Sequence, residues 1–163
     1  MTFRLVLWLL VAGLTLTSPA SSQPLPDRVT PEQVASILKD AGYRAEILAD
    51  KSPQRIRTGI GGRTVLVALY DCQTKGCSSL QFYAGFRKGP KFNLEYVNEW
   101  NSLRRYGKAY LDKDGDLAFE FDVDLDGGVG ANYIKEKIFL FERLLSELEK
   151  FDAKQSGGKA EKN

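Results

Sequence analysis

Apolar residues step by threes and fours near the start of the chain, alternate with polar ones through its middle, and step by threes and fours again near its end. Val34, Ile37, Leu38 and Ala41 follow the first rhythm, which predicts a helix opened by Thr30-Pro31-Glu32-Gln33 and stopped at Gly42. Thr30 can cap it, Pro31 suits the first helical position, and Gln33 can return the cap's hydrogen bond. Strand-like runs follow at Arg44 to Ala49, Arg55 to Ile60, Arg63 to Asp71 and Ser78 to Arg87. The stretch Thr64 to Tyr70 is nearly all apolar and β-rich, so it is expected as a central strand covered on both faces. In the fourth run Leu80, Phe82, Ala84 and Phe86 alternate with Gln81, Tyr83, Gly85 and Arg87, which predicts one buried face.

Gly89-Pro90 interrupts the pattern, and Asn93 is placed to cap a second helix carrying Leu94, Tyr96, Val97 and Trp100 and ending near Leu103. Two runs, Tyr106 to Asp112 and Asp116 to Asp124, then flank Lys113-Asp114-Gly115, a sequence suited to a tight hairpin turn. Leu117, Phe119, Phe121 and Val123 alternate with Asp116, Ala118, Glu120 and Asp122, so the carboxylates of this strand are expected on a solvent face. A final helix is predicted from Ala131 to Phe151, where Ile134, Ile138, Phe141, Leu145 and Leu148 form a stripe widened by Tyr133, Leu140, Leu144 and Phe151. That width suits packing across a sheet, while homodimerisation through Leu140 and Leu144 stays open. The predicted order is α-β-β-β-β-α-β-β-α, a single α+β domain.

The ends change the picture. Arg4, an apolar run from Leu5 to Leu16, and then Thr17 to Gln23 follow the order of a secretory signal peptide, and the run is too short for a spanning helix of about 20 residues. Residues 1–20 are read as a signal peptide cut after Ala20 or Ser22, residues 21–28 as a linker, 29–152 as the domain and 153–163 as a disordered tail. The expected location is periplasmic or secreted, with no stable membrane insertion after cleavage.

Charge and chemistry then exclude more than they assign. With 23 Lys and Arg against 21 Asp and Glu, and the cations dispersed, nucleic acid is a poor partner. The chain has no histidine and no Gly-x-Ser-x-Gly, so no enzyme activity and no cofactor are expected. Gly59, Gly61 and Gly62 lie between two strands without a following Lys-Ser/Thr, which marks a turn and not a phosphate loop. Cys72 and Cys77 flank a short loop, and in an oxidising compartment two thiols on opposed strands are expected to pair; a redox-sensing dithiol is the rival reading. Asp122-Val123-Asp124-Leu125-Asp126-Gly127 begins like a calcium loop, but its twelfth position is Tyr133, so Asp122, Asp124 and Asp126 stand only as metal candidates of a divalent-ion sensor.

Ala41-Gly42-Tyr43, Asp71-Cys72 with Cys77, and Val97-Asn98-Glu99-Trp100-Asn101 are followed by Arg105-Tyr106-Gly107, the Asp112 to Asp116 turn and Asp122 to Gly128. In this combination the chain resembles the YbjN family from about Val29 to Phe151. The resemblance implies a fold similar to type III secretion chaperones, an antiparallel sheet flanked by three helices, and a loosely described sensory or stress-regulatory role. It points to a non-enzymatic binding or adaptor module with a protein or peptide partner, met by a sheet face or edge or by a groove beside the last helix. Trp100, Asn101 and Arg105 are the partner-binding candidates, against a plainer reading in which Trp100 packs in the core and Asn101 bonds the backbone.

Overall fold

The computed structural model describes residues 27–48 and 52–157, so the expected signal peptide and the last six residues lie outside it. Its elements are α1 (Pro31–Asp40), β1 (Ala45–Leu48), β2 (Arg55–Ile60), β3 (Arg63–Gln73), β4 (Gly76–Phe86), α2 (Leu94–Leu103), β5 (Lys108–Leu111), β6 (Leu117–Asp124) and α3 (Ala131–Gly157). The three helices and six strands follow the predicted order. All strand pairs are antiparallel, in the spatial order β1-β2-β3-β4-β6-β5.

Local chemistry sets most boundaries. Thr30 and Gln33 form the reciprocal cap of α1, and the Asn93 side chain accepts from the Tyr96 N–H at 2.9 Å to open α2. The turn between β5 and β6 closes because the Asp112 carboxylate accepts from both the Asp114 and Asp116 N–H groups, each at 2.9 Å. Gly107 turns the chain from α2 into β5 at φ +71°, where a Cβ would lie 2.6 Å from the Phe119 ring. At the tip of β3–β4, Cys72 and Cys77 are directly opposed and disulfide-bonded. The other side of Cys77 pairs with Val29 through two backbone hydrogen bonds of 2.9 Å, so the start of the domain is stitched to this hairpin.

One face of the sheet carries the core. Ile56, Val65, Val67, Leu69, Leu80, Phe82, Phe119 and Val123 point to the stripe of α3, whose Ile134, Ile138, Phe141, Leu145 and Leu148 are all buried. Phe141 sits at the centre, its ring 5.3 Å from Phe82, 5.8 Å from Phe119 and 6.4 Å from Phe121. The helices α1 and α2 add Val34, Leu38, Val97 and Trp100 to the same cluster.

Several expectations are corrected. The apolar run in β3 is not covered on both faces: Val65, Val67 and Leu69 are buried in the core, whereas Leu66 is half-buried and Tyr70 is 37 % exposed. The helix α3 continues through Gly157, so residues 153–157 of the expected disordered tail are helical. Leu144 is buried in the core and Leu140 packs against it, which leaves no free leucine seam for dimerisation through these two residues.

Candidate functional site

The face of the sheet opposite the helices is organised in rows fixed by the strand register. One row runs Leu48, Arg55, Ala68, Gln81, Asp122, and the next runs Glu46, Arg57, Leu66, Tyr83, Glu120, Lys108. Small or half-buried apolar groups, Ala68 and Leu66, therefore lie mid-sheet with charged residues to either side. Tyr70 stands beyond the first row and Tyr110 beyond the second. Together with the Asp112-Lys113 tip of the β5–β6 hairpin, these rows enclose a cleft of about 620 Å³ lined by Arg55, Leu66, Tyr70, Gln81, Tyr83 and Glu120.

Half of this cleft is a closed hydrogen-bond network. The Tyr110 hydroxyl donates to Glu120 at 2.7 Å, the Lys108 ammonium pairs with the other oxygen of Glu120 at 3.0 Å, and the Gln81 amide donates to Asp122 at 2.8 Å. The Tyr70 hydroxyl reaches Gln81 at 3.4 Å. Glu120 is only 8 % exposed, which corrects the expectation of a solvent face for this carboxylate, whereas the Asp122 side chain is 58 % exposed as expected. Burial pushes the Tyr110 hydroxyl to higher pKa, and its bond to Glu120 adds to the shift. Lys108 is raised chiefly by its hydrogen bond to Glu120.

The other half is unfinished. Among the described residues Arg55 makes no ion pair or hydrogen bond, although Arg57 pairs with Glu46 at 3.0 Å beside it. The Tyr83 hydroxyl has no hydrogen-bond partner either; its ring lies over Gly85, where a Cβ would approach the hydroxyl to 3.0 Å. Burial raises the Tyr83 pKa, reinforced by Asp112, Glu120 and Asp116 and opposed by Arg55. The two remaining charges at the rim are engaged locally, Lys113 with Asp114 at 2.9 Å and Asp112 with the turn backbone.

The residues singled out from sequence fall elsewhere. Trp100 is 0 % exposed, edge-on to Phe119 and Phe151, so as a partner anchor it is corrected to a core residue. Asn101 donates to the Ala109 carbonyl and accepts from the Ala109 N–H, both at 2.9 Å, and thereby occupies the outer edge of β5. Arg105 rests over the Tyr106 ring at 5.3 Å and forms no ion pair with the hairpin; Lys108 is the cation that does. Asp122 is held by Gln81, and Asp124 accepts from the Asp126 N–H at 3.0 Å. Among the described residues no three acidic, Cys or His side chains converge to hold a metal ion.

A second depression, about 630 Å³, lies between α2 and the end of α3, with Leu103 58 % exposed at its margin. Two pairs bridge it, Arg104 with Glu147 at 2.9 Å and Gln155 with Glu99 at 2.7 Å. No helix among the described residues is long and apolar enough to cross a membrane.

The fold is an α+β domain with helices on one side of an antiparallel sheet and a tyrosine-lined cleft on the other. The chain belongs to the YbjN family, described as "Putative bacterial sensory transduction regulator", whose model matches residues 30–151. Among solved structures it is similar to that of YbjN from E. coli, titled a "putative transcription regulator", at 17 % identity and a TM-score of 0.61 over 76 % of this chain and 90 % of that one. No curated protein matches the chain.

Proposed function

We propose that the protein is an exported, non-enzymatic binding module of the YbjN type that holds a protein or peptide partner on the open face of its sheet. The observation that carries this reading is the half-finished cleft, in which Arg55 and the Tyr83 hydroxyl have no partner among the described residues and stand over an apolar floor of Leu66 and Ala68. An uncovered face of this kind, polar at the rim and apolar at the centre, has the make-up of a recognition surface. The groove beside α3 is the weaker candidate because the Arg104–Glu147 and Gln155–Glu99 pairs already bridge α2 and α3 across it. The bonded Cys72 and Cys77 support residence in an oxidising compartment, in line with the secretory pattern of the first residues.

Photo-crosslinking in intact cells tests the reading. A photoreactive residue at Tyr70 should give a discrete adduct that disappears on Leu66→Glu, whereas one at Leu103 should not. Adducts from Leu103 alone, or adducts from Tyr70 indifferent to Leu66→Glu, overturn it.

A further inference from the structure

We infer that the cleft takes the C-terminal end of an extended peptide, with the terminal carboxylate on Arg55 and apolar side chains on Leu66 and Ala68. This rests on the open-face reading above and names the ligand chemistry of that face. The argument is one of charge and valence. Every other ionic group lining the cleft is matched within the fold: Glu120 by Lys108 and Tyr110, Lys113 by Asp114, Asp112 by its own turn. Among the described residues Arg55 alone of these keeps an uncompensated charge, on a half-buried side chain whose neighbour across the sheet is the small Ala68.

A planar guanidinium offers paired donors, and the group that matches them is a carboxylate. The carboxylates available inside the cleft are already consumed, so the anion has to come from the ligand. The Tyr83 hydroxyl supplies a second unfilled donor further along the cleft, placed for a main-chain carbonyl of the same peptide. An interior acidic segment would bring a longer, polar side chain to an apolar floor. A chain terminus places its carboxylate directly beside the last side chain, as the spacing from Arg55 to Ala68 and Leu66 requires.

The test is an NMR titration of the purified protein with a random-sequence heptapeptide pool prepared as free acids and again as C-terminal amides. The free acids should shift the Ala68, Gln81 and Tyr83 amides, and the amidated pool should bind about tenfold more weakly, the loss of one charge-assisted contact. Arg55→Ala should remove that preference while leaving the far-ultraviolet circular dichroism unchanged, and Tyr83→Phe should weaken both pools about equally. If the amides bind as well as the acids, or Arg55→Ala keeps the preference, the carboxylate inference fails and the open-face reading stands. If neither pool shifts these amides, both fail.

Discussion

The two faces of the sheet are made from the same strands, yet they answer to different demands. On the helix side Phe82, Phe119 and Phe121 meet Phe141 ring to ring, and every apolar side chain is spent on a neighbour. On the other side tyrosines take the place of phenylalanines, and each hydroxyl is a polar handle that is either used, as at Tyr110, or left over, as at Tyr83. Stability is concentrated on the first face, and the second keeps polar groups open to solvent. Substitutions should therefore separate the two.

The largest expected effect is on the covered side. Phe141→Ala should destabilise the fold by about 3–5 kcal/mol in a denaturant titration, since it empties the centre of the aromatic cluster. Tyr83→Ala should change the same titration by less than about 1 kcal/mol; an equal loss from both would break the contrast between the faces. Gly107→Ala comes next, at about 2–3 kcal/mol by the same measurement, because a left-handed backbone and the Phe119 ring both exclude a Cβ there. Glu120→Ala is expected to cost about 1–2 kcal/mol, as it strands Lys108 and Tyr110 without their acceptor. A neutral result would mean that water replaces Glu120 and that the network is no firmer than the free half of the cleft.

The smallest effect is in alkali. The Tyr43 hydroxyl, which donates to Glu142 on α3 at 2.9 Å, is pushed up to about 12, first by burial and then by that carboxylate. A raised pKa in the folded state favours the neutral phenol, so its contribution is intact below about pH 10 and declines as pH rises through about 12. Thermal melts across that window should show a shallower decline for Tyr43→Phe than for the parent protein.

Much of the covered face is written in the local pattern. The caps at Thr30 and Asn93, the Asp114-Gly115 turn and the stripe of α3 all follow from neighbours within a few residues, and each stands where the periodicity puts it. The open face is not legible in the same way. Leu66 and Ala68 read as core because apolar residues look alike whether they meet a helix or floor a cleft. Glu120 reads as solvated because its partners, Lys108, Tyr110 and Gln81, come from two other strands, and β6 inserting between β4 and β5 is a fact of topology. The one available signal was compositional: Tyr83 and Tyr110 fall on the polar phase of their strands, where aromatic rings are unusual. Trp100, conspicuous in sequence, is wholly interior in space, as its plainer reading expects.

Asn101 carries a consequence for assembly. Its amide fills the hydrogen-bonding positions that Ala109 would offer to an incoming strand, and β1 at the opposite margin has no such plug among the described residues. A molecule with one receptive margin can be joined there by a single guest or by one twin. A guest strand therefore meets β5 with the positions of Ala109 already taken, and β1 with its outer row open among the described residues.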